Sequence, residues 1–330
     1  MKAISSTTRK LLELSQLSGV GPATLRRFAS DPGIDTLEAE DIAASNNALT
    51  DALDDGRLWR TARAKAEAQI EACEQIGARI ISPVDKDYPS LLSSTKDDPF
   101  LLYVRGNFAP DPEKSIAIIG TREPTPHGIA IAERMTDFFV GAGWSVVSGL
   151  ALGCDAIAHR QAIKSGGHTV AVLAHGLHTT APARHRALAE EIVESGGALV
   201  SQYPFGAPAI GPQFVQRDKT QAGLAQGVVM VQSDLQGGSL HASRAILAYG
   251  RWLIVPNPTD RDRIAEEPKV QANLLLAEGN DRDKMDLLRI KTPSMLTKLL
   301  IVRSREDYDI VLKKASLGGN DAAVIQPSMF

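Results

Sequence analysis

Six short apolar runs, separated by stretches of helical length, govern what the middle of this chain can fold into. They are "SIAIIG" (115–120), "WSVVSG" (144–149), "HTVAVLA" (168–174), "ALVSQYP" (198–204), "VVMVQSD" (228–234) and "WLIVPNP" (252–258). The runs are rich in β-branched residues and do not alternate with polar ones, as expected of strands buried on both faces. Between them lie helix-length segments. "HGIAIAERMTDFFVGAG" (127–143) puts Ile131, Met135, Phe138 and Phe139 on one face and ends at Gly141 to Gly143. Further helices are predicted from Asp155 to about Lys164 and in "ARHRALAEEIVESGG", "RDKTQAGLAQG" and "SLHASRAILAYGR". Strands that alternate with helices in this way form βαβ units and a parallel sheet. With right-handed crossovers the helices cover both faces.

The fold class expected is therefore α/β: an extended Rossmann-like, doubly wound parallel sheet, with a small helical domain at the N-terminus. Residues 1–77 read as that helical domain, of the SAM-like or helix–hairpin–helix-like kind. "TRKLLELSQLSGVGPATLRRFAS" gives two helices around a Gly-Val-Gly-Pro turn, and more helix follows. Residues 78–258 read as the Rossmann-like domain, with its core at 114–258 and a lead-in of two short strands and a Tyr88-Pro89 turn. Residues 259–330 are a C-terminal extension of uncertain fold. In it "DRDRIAEEPK" reads as a charged linker, "TKLLIVRSREDYDIVLKKASLGGN" holds one strand and one helix, and the tail is a candidate disordered segment.

The totals exclude several classes. Cys73 and Cys154 are the only cysteines, so a disulfide framework is not expected and a cytoplasmic location fits. No apolar run is long enough to span a membrane, and the N-terminus lacks a signal-peptide pattern. The net charge of −3 counts against a uniformly basic nucleic-acid binder but leaves room for a local basic pocket.

Ligands of open parallel sheets bind beyond the carboxyl ends of the strands. The loops there supply Gly120, Thr121 and Arg122, then Ser148, Gly149 and Gly153, then Arg217 and Lys219, then Gly238 and Ser239. Their carboxylates are few: Glu123, Asp155, Asp218 and Asp234. Helix N-termini and backbone N–H groups favour anions, glycine lets a backbone approach them, and arginine adds a fork that fits phosphate. A phosphorylated ligand is the expectation, although a glycine at a strand–helix turn also serves packing alone. Neither a GxGxxG nor a Walker A lysine motif follows a strand, which disfavours dinucleotide and NTP sites of those types. The seven histidines lack paired ligand spacing, so no metal is expected. Cys154 with His159 one turn on raises a nucleophilic site, against which stand the competing cap Asp155 and ordinary packing of a buried thiol. In "LSGVGPATLRRF", Gly19 and Gly21 could offer N–H groups to a DNA phosphate, with Arg26 and Arg27 adding charge. An ordinary tight turn is the alternative.

These motifs together resemble the DprA/Smf (DNA-processing protein A) family of recombination mediators, from about Leu11 to Pro256. The most specific parts are "GTREPTPHG", "SGLALGCDAIAH", "GGHTVAVLAHGL", "FVQRDKTQAGLA" and "GGSLHASRAILAYGRWLIVP", in the family's order. The resemblance implies binding of single-stranded DNA in a pocket at the strand ends, homodimerisation, and help in loading a RecA-type recombinase, with a role in natural transformation. It implies contacts from Arg122, Ser148, Gly149, Arg217 and Lys219, with Gly238 and Ser239 shaping the fifth loop and Asp155 capping a helix. It implies no cofactor, no catalytic residue and no membrane partner. The chain departs from the family at Asp218 and Lys219, where Asn-Arg is usual, at Ala181-Pro182, His185 and Gln202, and in lacking an evident winged helix at its C-terminus. Two other readings share the fold. One is a nucleotide-processing enzyme, but "QGGSLHASR" places Arg244 where a phosphoribohydrolase would need a glutamate. The other is a nucleotide sensor in defence signalling, which would use the same anion-binding loops.

Overall fold

The computed structural model describes residues 4–30, 33–34 and 56–316. Part of the expected N-terminal helical segment, and the tail beyond residue 316, lie outside these. The six runs become strands β3 (Ser115–Ile119), β4 (Ser145–Ser148), β5 (Thr169–Leu173), β6 (Ala198–Ser201), β7 (Gly227–Met230) and β8 (Trp252–Pro256), all parallel. The lead-in gives β1 (Ala78–Ile81) and β2 (Leu102–Gly106), which join the same sheet as antiparallel strands through β6. The C-terminal extension gives β9 (Leu299–Val302), which pairs parallel with β8. The result is one nine-stranded sheet in the order β1-β2-β6-β5-β4-β3-β7-β8-β9.

Every residue of β3 to β8 is buried. Successive side chains of a strand point to opposite faces, so Ala117 and Ile119 enter one core while Ile116 and Ile118 enter another. One face carries helices α1 (Ser6–Ser15), α2 (Pro22–Ala29) and α3 (Gly56–Gln75) over β1 and β2, through Leu11, Leu25 and Ile70 on Ile80 and Tyr103. A short helix, α4 (Ser90–Ser93), follows in the lead-in. Along the first face lie α5 (Pro126–Gly141), α6 (Cys154–Lys164) and α7 (Arg186–Glu194). The other face carries α8 (Gly211–Gly223) and α9 (Leu240–Ala248).

Two local readings need correction. Helix α8 starts at Gly211, six residues before the expected Arg217, so Arg217, Asp218 and Lys219 lie on a helix rather than in a loop. Pro212 in the first turn is the start signal, since its missing N–H is unneeded there. "DRDRIAEEPK" is not all linker: α10 (Asp260–Ile264) begins at Thr259, whose hydroxyl accepts from the Asp262 N–H. Two further helices, α11 (Gln271–Glu278) and α12 (Asp281–Leu288), pack Leu276 and Leu288 on the second core. The last helix, α13 (Asp307–Ser316), packs Tyr308 and Val311 beside α5 in the first face's core.

Candidate functional site

The chain leaves β3 toward β4 on one side, whereas β7 pairs on the other. At such a reversal the loops diverge and leave a crevice beyond the strand ends. A cleft of about 370 Å³ lies there, walled by the loops after β3, β4 and β7 and by one side of α8.

The β3 loop is fixed from below. Thr121 N–H donates to the Gln232 carbonyl (2.8 Å), and the Thr121 carbonyl accepts from Cys154 N–H (3.1 Å). Gln232 also grips Thr125, accepting its N–H at Oε1 (2.9 Å) and donating from Nε2 to its hydroxyl (2.8 Å). A Cβ on Gly120 would lie 2.6 Å from the Cys154 sulfur. Gly153 has φ +71° and its missing Cβ would strike the Thr121 and Arg122 backbone, so only glycine fits. With the backbone so held, the Arg122 side chain is exposed and makes no ion pair among the described residues.

The other expected cations are engaged within the protein. Arg217 is 6% exposed. Its guanidinium donates to the carbonyls of Gly149 and Val172 and to Asp218 Oδ1 (2.9 Å). Asp155 does not cap its own helix. Its carboxylate accepts the N–H groups of Gly149 (3.1 Å) and Ala151 (3.3 Å) and so closes the β4 loop. A Cβ on Gly149 would lie 2.5 Å from the Arg217 guanidinium carbon and 2.7 Å from Asp155 Oδ2. Ser148 is fully buried and ties β4 to β3 through the Ile118 carbonyl (2.6 Å). Lys219 pairs with Asp97 (3.0 Å), and like Ser148, Gly149 and Gly153 it does not line the cleft. Gly238 and Ser239 line the cleft just ahead of α9.

The charge balance differs from that expected of the loops. Three of their four carboxylates, Asp155, Asp218 and Asp234, meet in the cleft, against Arg122 and Arg217. Burial pushes Asp155 and Asp218 above the usual carboxylate range, and Arg217 opposes the shift in both. The charge of Arg122 also reaches Asp218.

Cys154 and His159 do not form a nucleophilic pair. Both are fully buried, and His159 Nδ1 bonds the Thr169 hydroxyl (2.7 Å). Burial raises the thiol's pKa far above its usual value, and it lowers His159 to about 3. No cluster of metal-binding side chains occurs among the described residues. Of the N-terminal candidates, Gly19 occupies the turn with φ +81° and Gly21 precedes α2. Arg26 pairs with the buried Asp98 (2.8 Å), and Arg27 lies over the Phe28 ring. None of these four residues lines the cleft.

Several residues went unread in the sequence. Gln221 is buried, lines the cleft, and leaves Nε2 without a hydrogen-bond partner. A buried donor of this kind normally has a partner. Phe214 adds an aromatic wall. His241, on the first turn of α9, lines the cleft and is held below its usual pKa by burial and then by Arg244, Arg289 and Lys219. His241 and Arg244 are three apart and share a helix face, a spacing the sequence did carry. Asn273 is buried and bonds the Ser233 N–H and the carbonyls of Met230, Val231 and Pro256, fixing the ends of β7 and β8. No periodic pattern marks a lone buried asparagine.

A doubly wound sheet with a crevice at its switch point defines a protein of the Rossmann-like class. The chain belongs to the DNA recombination-mediator protein A family, whose sequence model matches residues 79–278. It is 34% identical over 197 residues to Protein Smf of Escherichia coli, covering 59% of this chain and 53% of that protein. It is 30% identical over 259 residues to Protein Smf of Synechocystis, covering 76% and 64%. The chain thus spans about half to two-thirds of the length of these relatives. Among solved structures, DNA processing protein A of Streptococcus pneumoniae matches 84% of this chain and 99% of its own, with TM-score 0.63 and 24% identity. DNA processing protein A of Helicobacter pylori, described in terms of its single-stranded DNA binding mode, covers 72% and 96% with TM-score 0.56 and 23% identity. At these identities the two structures speak for the fold. No described helix is long and apolar enough to cross a membrane.

Proposed function

We propose that this protein binds single-stranded DNA in the switch-point cleft and acts without catalysis, as a mediator that hands the strand to a recombinase. The observation that carries this reading is the exposed Arg122 on a backbone locked from three sides. It shares one crevice with two helix starts and the buried, unpartnered Gln221 amide, in a family of recombination mediators. A RecA-type partner, a homodimer, a part in natural transformation, and the division at residues 77 and 258 belong to the same reading.

The geometry gives less support to the enzyme reading. Arg244, where a hydrolase would place its glutamate, donates from Nε and Nη2 to the Leu287 carbonyl at the end of α12. The sensor reading is separated by a thermal-shift screen. Stabilisation by oligo-dT and none by mono-, di- or cyclic nucleotides is expected, and the reverse would favour sensing.

Asp218 supplies a second test. It lines the cleft with its charge set against Arg217 and within reach of Arg122. Asp218→Asn keeps a carbonyl for the Arg217 N–H and removes the negative charge. The expected result is oligo-dT affinity raised by about threefold, or roughly 0.7 kcal/mol. A weaker complex in titration would mean that the carboxylate organises the cleft.

A further inference from the structure

A second cleft, of about 650 Å³, opens on the same sheet edge, at the ends of β8 and β9. One side of α5 forms one wall through His127, Ile131 and Arg134, and the β9–α13 turn forms the other through Arg303 and Arg305. Arg134, Arg303 and Arg305 are exposed, and none makes an ion pair among the described residues. Two of the nearby carboxylates are committed within the protein, and a third, Asp260, lines the cleft and is exposed. Asp307 accepts the N–H groups of Arg303 (2.6 Å) and Ser304 (2.9 Å). Asp262 is buried and accepts from the Thr259 hydroxyl, while Asp260 lies toward Arg263. The charges of Arg134 and Arg305 both lower the Tyr308 hydroxyl's pKa against the effect of burial, which places both close to the phenol lining this cleft. Three guanidiniums without ion pairs, against the single lining carboxylate of Asp260, are a recognition pattern for phosphate.

We infer that this second cleft is an anion site that takes the phosphodiester backbone of the strand after it leaves the first cleft. The inference rests on the proposed function for its occupant. Continuity comes from the segment between the clefts: Gly120 to Arg122 wall the first, and His127 and Arg134 wall the second. Arg122 and His127 are five residues apart, so their Cα atoms are within about 17 Å of each other. Arg303 and Arg305 lie beyond the segment matched by the family, which ends at residue 278. The C-terminal extension thereby adds a contact surface to the sheet edge.

The test is fluorescence anisotropy of the wild-type chain and of an Arg303→Ala/Arg305→Ala variant. Two oligo-dT probes are used, one of about 4 nucleotides and one of about 16, the range of site sizes for such grooves. Both side chains are exposed, so the variant keeps its fold. The long probe is expected to bind the variant about tenfold more weakly, with the log–log salt slope flattened by roughly 1.4, two contacts at about 0.7 each. The short probe is expected to bind both proteins alike. Equal losses for both probes, or none for either, would overturn the inference. If wild-type protein binds neither probe, the proposed function fails and the strand as occupant fails with it. Inorganic tripolyphosphate then decides whether the cleft takes anions at all. A thermal shift in the wild type that is lost in the variant keeps the anion site, and equal shifts remove it.

Discussion

Arg217→Ala is expected to destabilise the fold by about 3–5 kcal/mol, the usual cost of leaving buried charge without its partner. For a chain of this length that is a fall in Tm of roughly 4–7 °C. The guanidinium holds the β4 loop through the Gly149 carbonyl and reaches the end of β5 through that of Val172. It is also the positive charge between the buried Asp155 and Asp218. Both aspartates already have pKa values raised by burial, and losing Arg217 raises them further. A group whose folded pKa lies above its unfolded value favours the fold only while protonated, and that contribution is lost as pH rises. The deficit of the variant is therefore largest near neutral pH and shrinks as pH falls toward the ordinary aspartate value of about 3.9. Thermal melts of both proteins across that range check this. A deficit independent of pH would mean that the lost hydrogen bonds, and not the charges, carry the effect. Arg217→Lys should fall between, since an ammonium keeps the charge but not the fork.

Arg122→Glu is expected to leave stability unchanged and to weaken oligo-dT binding by about 100-fold. The side chain makes no ion pair among the described residues, so little of the fold depends on it. A charge-assisted bond to phosphate contributes about 1.5–3 kcal/mol, and reversal adds repulsion. A total near 2.7 kcal/mol corresponds to the stated factor. The loss should be uniform across base sequences, as for any backbone contact. Affinity within threefold of wild type, measured by titration at low salt, would remove Arg122 from the site.

The two substitutions divide residues that the sequence could not divide. Glycine, arginine and serine at strand ends were legible as a site because the six apolar runs place those loops on one edge. The role of each side chain was not legible. Arg122 and Arg217 look alike in a sequence, yet one is exposed while the other is a buried clamp among two carboxylates. That difference depends on Asp155 and Asp218 arriving from separate elements, a meeting no spacing encodes. The start of α8 was misread because "FVQRDK" has no apolar period, although Pro212 marked it. The seventh parallel strand β9 was legible as a strand but not as a sheet neighbour, since pairing across the α10 to α12 insertion is set by packing. Gln221 lies within "FVQRDKTQAGLA", but an unpartnered amide is visible only once its surroundings are known.

The central claim is that this cleft holds a single strand by its phosphates. Fluorescence anisotropy of the wild-type chain with oligo-dT, duplex DNA and labelled mononucleotide, each at low and high salt, tests it most directly. Oligo-dT is expected to bind more tightly than either alternative, with affinity falling steeply as salt rises. Oligo-dT affinity unchanged between the two salt concentrations, or a mononucleotide bound more tightly than the oligonucleotide, would contradict it.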